Sequence, residues 1–217
     1  MNSAGALRLD SVRIRLHGRD LVGPLDATVQ RGECLTLMGP SGCGKSTLLN
    51  YLAGTLDPVF EASGRVIIAE TDLTGMAPER RRIGILFQDD LLFPHLSVGG
   101  NLAFALPAEV RPQAQRRVRI AAALSEAGLE GFSERDPATL SGGQRARVAL
   151  MRTLLAAPSA LLLDEPFNKL DAQLRDEFRD FVFRHARDVG LPTLMVTHDE
   201  ADARAAGGRI LHLQPSP

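Results

Sequence analysis

A glycine-rich segment at residues 39–46 has the residue types and spacing of a phosphate-binding loop. It reads Gly39-Pro40-Ser41-Gly42-Cys43-Gly44-Lys45-Ser46 and matches the pattern G-x-x-x-x-G-K-[ST]. Glycines let the backbone curl so that successive N–H groups face a polyphosphate, and a following helix adds partial positive charge. We expect Lys45 to contact the β- and γ-phosphates and the Ser46 hydroxyl to bind Mg²⁺. The alternative is a glycine-rich turn that binds nothing.

Two carboxylates, Asp164 and Glu165, follow a run of three leucines. An apolar strand that ends in an acid is how a P-loop ATPase places a carboxylate against Mg²⁺ beside the phosphates. We assign the metal to Asp164, and we expect Glu165 to orient or deprotonate the attacking water. Taken alone, an Asp-Glu-Pro at a strand end more often starts a helix. The phosphate-binding loop upstream favours the catalytic interpretation.

A second anion-binding turn is predicted at residues 140–144. The segment reads Leu140-Ser141-Gly142-Gly143-Gln144. Ser141 is a natural N-cap, and two glycines expose backbone N–H groups at a helix N-terminus. One nucleotide hardly needs two such sites on one molecule. We therefore infer a two-fold dimer in which each nucleotide lies between the loop of one subunit and the Ser-Gly-Gly turn of the other.

The elements that position these residues follow from hydrophobic periodicity. Alternating apolar residues at 7–16 and 25–29 predict an antiparallel ribbon, whereas the almost continuously apolar residues 34–38 predict a strand covered on both faces. Further strands are expected at residues 66–69, 83–87, 160–163 and 191–197, and helices at residues 46–53 and 171–187. This order predicts an α/β fold: a P-loop NTPase core with a mostly parallel sheet and an N-terminal antiparallel β subdomain.

Strand signals almost vanish between residues 94 and 157, which predicts an inserted helical lobe. A helix is expected at residues 113–127, ending at Gly128. We expect its buried face to carry Val118, Ala121, Ala122 and Ser125. The chain is then a single domain, residues 1–217, with a core at about residues 1–93 and 158–217 and a lobe at about residues 94–157.

Composition and charge exclude several classes of protein. With 217 residues, 44% hydrophobic and 24% charged, the chain is typical of a globular protein and unlike collagen, disordered chains or disulfide scaffolds. Its net charge of −1 gives no general attraction to nucleic acid or anionic lipid. The sequence contains neither a membrane-spanning apolar run nor a secretory signal, and Cys34 and Cys43 indicate no disulfide framework. We expect a soluble protein in reducing cytosol.

With its three motifs the chain resembles the ATP-binding cassette (ABC) family, whose signature is LSGGQ, over nearly its whole length. The resemblance implies that Gln88 contacts Mg²⁺, that His198 contacts the γ-phosphate, and that Asp171 lies in a loop crossing the dimer interface. The expected catalytic residues are Lys45, Gln88, Glu165 and His198, and the expected Mg²⁺ ligands are Ser46, Gln88 and Asp164. The residues expected to bind ATP are Gly39, Pro40, Ser41, Gly42, Cys43, Gly44, Lys45, Ser46, Thr47, Ser141, Gly142, Gly143, Gln144 and Asp171.

Residues 87–98 resemble those of bacterial import ATPases, especially the subgroup that serves thiamine, polyamine, iron or molybdate permeases. The resemblance implies membrane permease subunits, a substrate-binding protein and a second copy of this chain as partners, no nucleic acid, and a peripheral position on the inner face of the cell membrane. We expect Leu91, Leu92 and Phe93 to line the groove that receives a permease helix; core packing is the alternative. Only 19 residues follow His198, so we expect no C-terminal regulatory domain.

Two positions depart from the family pattern. Relatives usually stack adenine on an aromatic residue, but here the matching place holds Leu16 and His17, and residues 1–50 contain no Phe, Trp or Tyr. Before Asp171, relatives commonly have Ser-Ala-Leu; this chain has Asn168, Lys169 and Leu170. Two other functions remain open. An exporter-type or lipoprotein-releasing ATPase would share every catalytic motif, whereas a soluble ABC ATPase of DNA repair or translation usually needs a longer chain.

Overall fold

The structure, a computed structural model, describes residues 5–214, apart from the side chain of residue 173. These residues form two compact units. The first comprises residues 5–85, 159–165 and 183–214, and the second comprises residues 86–158 and 166–182. The predicted limits of core and lobe stay a prediction, and their residues 1–4 and 215–217 lie outside the described part of the chain.

Strands and helices alternate along much of the chain. The strands are β1 (Leu7–Leu16), β2 (Arg19–Val29), β3 (Cys34–Met38), β4 (Phe60–Ile68), β5 (Thr71–Asp72), β6 (Ile83–Leu86), β7 (Ala160–Asp164), β8 (Thr193–Val196) and β9 (Ile210–His212). The helices are α1 (Lys45–Ala53), α2 (Pro78–Arg81), α3 (Val98–Ala105), α4 (Gln113–Glu126), α5 (Gly142–Leu155), α6 (Ala172–Val189) and α7 (Glu200–Ala206). Within residues 5–214, no helix is both long enough and apolar enough to cross a membrane.

The N-terminal strands form an antiparallel sheet in the order β2-β1-β4-β5. The first two strands pair with Leu7 opposite Val29 and Leu9 opposite Ala27. These four apolar side chains are buried while the residues between them are partly exposed, because successive side chains on a strand point to opposite faces. The predicted antiparallel ribbon is confirmed.

A second sheet has the order β6-β7-β8-β3-β9, in which β7, β8, β3 and β9 pair in parallel. Every residue of β3 and β8 is buried, as expected for strands covered on both faces. Asp164, the last residue of β7, pairs with Val196, the last residue of β8. The carboxyl ends of parallel strands lie at one edge of the sheet, so the segments that follow β3, β7 and β8 meet there. The predicted α/β class is confirmed.

The second unit is helical, and the buried face of α4 is not the predicted one. Its buried residues are Ile120, Ala123 and Leu124, whereas Val118, Ala121, Ala122 and Ser125 are exposed. The prediction was wrong because it was built on Val118. Ile120, Ala123, Leu124 and Ala127 recur at intervals of three and four residues and place more apolar surface on one side of the helix.

Arg81 holds the C-terminal end of α1, the helix that begins at Lys45. Its side chain is buried and donates hydrogen bonds to the carbonyls of Tyr51 and Leu52 at 2.8 and 2.9 Å. It also donates to the carbonyls of Met76 at 2.9 Å and Thr74 at 2.8 Å. The last carbonyls of a helix have no partner within the helix. One guanidinium therefore ends α1 and fastens it to the loop before α2.

We expect Arg81→Met to lower the free energy of unfolding by roughly 2–4 kcal/mol, because it removes a charged donor from two buried and two partly buried carbonyl groups. Urea denaturation followed by circular dichroism measures the loss. The matched control is Arg80→Met, since Arg80 is exposed on the same short helix. Equal losses in the two variants would show that the four hydrogen bonds do not stabilise the fold.

Candidate active site

The glycine-rich loop joins β3 to α1 and curls around the ammonium group of Lys45. Lys45 is the first residue of α1 and is buried. Its Nζ donates hydrogen bonds to the carbonyl oxygens of Gly39 at 2.8 Å and Pro40 at 2.9 Å. The first N–H groups of α1 have no partner within the helix. The loop thus concentrates backbone donors and one positive charge at the carboxyl end of a buried strand.

Gly44 shows why this loop needs glycine. Its φ of +89° lies in the left-handed region, and a Cβ there would stand 2.5 Å from Cγ2 of Val22. Any side chain would meet both backbone strain and a clash. The loop can therefore enter α1 only through a glycine at this position.

Ser46 and Asp164 meet at the predicted metal position. The Ser46 hydroxyl donates a hydrogen bond to Oδ1 of Asp164 at 3.1 Å. Burial raises the pKa of the Asp164 carboxyl above its usual value, while the Ser46 hydrogen bond and the charge of Lys45 act in the opposite direction. A hydroxyl and a carboxylate are oxygen ligands that Mg²⁺ prefers, and Mg²⁺ usually completes its shell with phosphate oxygens and water. The donor set therefore fits Mg²⁺ held jointly with a nucleotide.

The described residues contain no group of three or more His, Cys, Asp or Glu side chains that could hold a metal by themselves. A dedicated protein cage of such side chains is thus not formed within this part of the chain. A metal at Ser46 and Asp164 would need ligands from a bound phosphate.

Glu165 and His198 face each other beside this position. The backbone N–H of Glu165 donates to the carbonyl of Val196 at 3.0 Å, and His198 Nδ1 lies 3.3 Å from Glu165 Oε1. Because an ionised carboxylate only accepts, Nδ1 is the donor in this pair. Glu165 has a φ of +47°, a strained conformation for a residue with a side chain, and such strain is concentrated at functional sites. The structure brings these two predicted catalytic residues together.

The Ser-Gly-Gly turn belongs to the second unit and is the N-terminus of α5. The Ser141 hydroxyl accepts a hydrogen bond from the Gln144 N–H at 3.3 Å, and the Gln144 side chain accepts one from the Ser141 N–H at 2.9 Å. This reciprocal capping box confirms the N-cap expected at Ser141. Gly142 is exposed, and a Cβ there would meet nothing within 4 Å. Residues 5–214, as far as they are described, give no steric reason for a glycine at that position.

Gln88 and Asp171 also lie in the second unit. Gln88 is exposed and, together with Gly142 and Lys169, lines a cavity of about 250 Å³. Asp171 accepts a hydrogen bond from the Leu174 N–H at 3.0 Å and so caps the start of α6. His17, at the place where relatives have an aromatic residue, is exposed in the turn between β1 and β2. These placements leave the expected roles of Gln88 and Asp171 as predictions.

The segment after Gln88 is more exposed than core packing would require. Leu91 is 55% exposed, while Leu92 and Phe93 are partly buried. Phe104 of α3 is 70% exposed and packs edge-on against Phe93, with ring centroids 4.8 Å apart. The core-packing alternative therefore fails for Leu91. We call Leu91, Phe93 and Phe104 the apolar patch; Phe104 was missed because a lone Phe in a helix usually indicates core.

Three charged residues that sequence reasoning did not single out lie in the segment after Gln88 or bind it. Asp90 pairs with Arg145 of α5, and Arg152 of the same helix binds the backbone of Asp90 and Leu91. The only signal in the sequence was the spacing of the two arginines. Seven residues are two turns, which places both on one side of a helix.

Comparison with known proteins gives concordant matches. The sequence pattern of a family described as "ABC transporter" matches residues 22–168. The uncharacterized ABC transporter ATP-binding protein YnjD of Escherichia coli is 50% identical over 199 residues, which cover 92% of this chain and 91% of YnjD. The putative 2-aminoethylphosphonate import ATP-binding protein PhnT of Salmonella typhimurium is 41% identical over 203 residues, covering 93% of this chain and 54% of PhnT.

A third relative is the sulfate/thiosulfate import ATP-binding protein CysA of Nocardia farcinica. It is 45% identical over 187 residues, which cover 85% of this chain and 56% of CysA. This chain therefore spans about half the length of these two import relatives and nearly all of YnjD.

We expect Asp164→Asn to stabilise the nucleotide-free chain at pH 7. The same substitution should reduce the rise in Tm that ATP with Mg²⁺ causes. Because the folded-state pKa of Asp164 is raised above 3.8, the free energy of unfolding falls as the pH rises through the window above 3.8. At pH 7 the variant should therefore have the higher Tm; in a chain of this size each ~1 kcal/mol of added stability appears as about 2–4 °C.

Differential scanning calorimetry across pH 4–8 measures this gain, which should shrink toward the acid end of the range. Addition of ATP with Mg²⁺ should raise the Tm of the unmodified chain more than that of the variant. A lower Tm for the variant at pH 7 would show that the buried carboxylate does not destabilise the empty site.

Proposed function

The chain belongs to the ABC transporter family and is an ATPase, and on that premise we propose that it drives substrate import through a separate membrane permease. One observation carries the hydrolytic part of the proposal. The Lys45 loop, the Ser46–Asp164 pair and the Glu165–His198 pair all follow strands of one parallel sheet, at its carboxyl edge. In the proposed reaction these residues would supply a phosphate cradle, a metal position and a base within the same unit.

Hydrolysis requires a polarised γ-phosphate and an activated water. Lys45, which now donates to loop carbonyls, would donate to phosphate oxygens, and the glycine-rich loop would hold the remaining oxygens through its N–H groups. Mg²⁺ bound by Ser46 and Asp164, with Gln88, would neutralise charge developing on the phosphates. Glu165 would accept the proton of the attacking water, and His198 would donate to the γ-phosphate.

We further propose that two copies share each nucleotide. Gly142 supports this because no atom of the described residues lies within 4 Å of the position its Cβ would take. A glycine is useful there if a group from outside the chain approaches the backbone closely. The capped N-terminus of α5 adds donors and a favourable dipole for a phosphate. ATP between the loop of one subunit and the Ser141 turn of its partner satisfies both conditions.

The import assignment draws on two different observations. PhnT and CysA are named as import ATP-binding proteins, and the apolar patch exposes two large side chains, Leu91 and Phe104. An exposed apolar patch marks an interaction surface. We propose that a short permease helix docks there, that a substrate-binding protein delivers the substrate to the permease, and that the chain lies on the inner face of the cell membrane.

We expect Glu165→Gln to lower turnover by roughly 10²–10⁴-fold while ATP binding and the ATP-dependent dimer persist, because only the base is removed. Steady-state hydrolysis and gel filtration with and without ATP measure the two effects. The matched control is Glu200→Gln on the surface of α7, which should leave turnover unchanged. A monomer in the presence of ATP would refute the shared site, and normal turnover would refute the role of Glu165.

We expect Leu91→Arg to lower recovery of the chain with membrane protein by about tenfold, since a charge placed in an apolar contact must be buried without a partner. The assay is affinity purification from detergent-solubilised membranes, with identification of the partners by mass spectrometry. Val118→Arg is the matched control, because Val118 is 67% exposed on α4 of the same unit.

An integral membrane permease, lost with Leu91→Arg and kept with Val118→Arg, is the expected result. Recovery of an outer-membrane channel instead would indicate export. Equal loss in the two variants would refute docking at the apolar patch.

A further inference from the structure

The two aspartates that directly follow Gln88 form ion pairs with basic residues from two different parts of the chain. Asp89 forms an ion pair with Lys169, which stands two residues before Asp171. Asp90 accepts a hydrogen bond from Nε of Arg145 at 2.8 Å, and Arg145 directly follows Gln144 of the signature turn. We call residues 89–93 the junction segment.

Arg145 binds the junction segment and the signature turn with the same guanidinium. While Nε donates to the Asp90 carboxylate, the terminal nitrogen donates to the carbonyl of Leu140 at 2.7 Å. Leu140 immediately precedes Ser141, the cap of α5. A guanidinium is a planar fork with fixed donor directions. The position of the Leu140 carbonyl is therefore tied to that of the Asp90 carboxylate.

Arg152 holds the junction segment at a second point on α5. It donates hydrogen bonds to the carbonyls of Leu91 at 2.7 Å and Asp90 at 3.0 Å, and its guanidinium lies 5.4 Å from the centroid of the Phe93 ring. Partial burial lowers the pKa of Arg152. With two anchors two turns apart, the segment lies fixed along the helix.

We propose that Arg145 is a positioning residue that couples the junction segment to the Ser141 turn, with Arg152 fixing the segment to the same helix. Displacement of residues 90–93 then changes how the turn presents its N–H groups. The consequence for transport depends on the proposed function, because the apolar patch includes Leu91 and Phe93. The coupling itself is a property of the chain alone.

The two ion pairs of the junction segment should contribute unequally to the coupling. Asp89 and Lys169 are 62 and 55% exposed, and exposed pairs contribute little because solvent screens them. Asp90 and Arg145 are 31 and 37% exposed, and Arg145 adds a charged hydrogen bond to a carbonyl, which is stronger than a neutral one. The contacts of Arg145 with Asp90 and Leu140 should therefore contribute most of the coupling, and the Asp89–Lys169 pair should contribute less.

Hydrogen exchange of the 217-residue, nucleotide-free chain tests the coupling directly. Arg145→Lys keeps the charge but cannot reproduce both hydrogen bonds of the fork. In this variant we expect backbone amides to exchange faster both in residues 88–93 and in residues 140–146. Asp90→Asn changes only the segment 88–93, and it should also speed exchange in residues 140–146. Unaltered exchange at residues 140–146 in Asp90→Asn would overturn the proposal.

Arg147→Lys is the matched control for these measurements. Arg147 lies on the same helix, but its guanidinium binds the carbonyl of Ala127 and the carboxylate of Glu177. It should leave exchange in residues 88–93 unchanged. Faster exchange there in Arg147→Lys would mean that any loss of an arginine loosens α5, which would overturn a specific role for Arg145.

Steady-state hydrolysis adds a readout that general loosening would not give. We expect Arg145→Lys and Asp90→Asn to lower kcat by about tenfold with a KM for ATP within about twofold, because the turn is proposed to act on the nucleotide of the partner subunit whereas the Lys45 loop is unchanged. Lys169→Met should lower kcat by less than Asp90→Asn. A raised KM with unchanged kcat would overturn the proposal. Absence of hydrolysis in the unmodified chain would refute the proposed function and leave the exchange result standing.

Discussion

A single hydrogen bond, from Ser46 to Asp164, joins residues that are 118 positions apart in the sequence. It exists because β3 and β7 belong to one sheet, with β8 between them, and because each strand runs the same way. A slip of one residue in the pairing of β7 with β8 would turn Asp164 toward the other face of the sheet. The proposed metal position, the proposed base and the histidine therefore depend on the register of buried, mostly apolar strands.

The site concentrates features that are unfavourable for folding. Asp164 is a partly buried carboxylate with a raised pKa, Lys45 is a buried ammonium, and Glu165 has left-handed backbone geometry. By contrast, the part of β7 that precedes Asp164 favours folding, since residues 160–163 are all buried and apolar. A rigid apolar sheet can hold such groups in place. A bound nucleotide with its metal would offset most of the unfavourable free energy of these groups, because it binds only the folded chain.

Local patterns predicted the elements that the site needs. The glycine-rich loop, the apolar strands and the capped N-terminus of α5 follow from spacing and residue type within short windows, and the structure has all three. The prediction of the buried face of α4 was wrong because choosing between two apolar faces of a helix requires knowledge of what the helix packs against. The bridges of Asp90 to Arg145 and Arg81 to Tyr51 were not predictable, because each joins side chains whose meeting depends on the tertiary fold. The roles of Gln88, His198 and Asp171 came only from the family resemblance.

The two lysines of the chain differ sharply in surroundings. Lys45 is enclosed by the carbonyls of its loop, whereas most of the Lys169 side chain is open to solvent. Acylating reagents require an accessible, transiently neutral amine, so among the lysine side chains they should modify Lys169 first. A fluorophore attached there would sit two residues from Asp171, at the segment proposed to cross between subunits. Its emission would report assembly without any engineered cysteine.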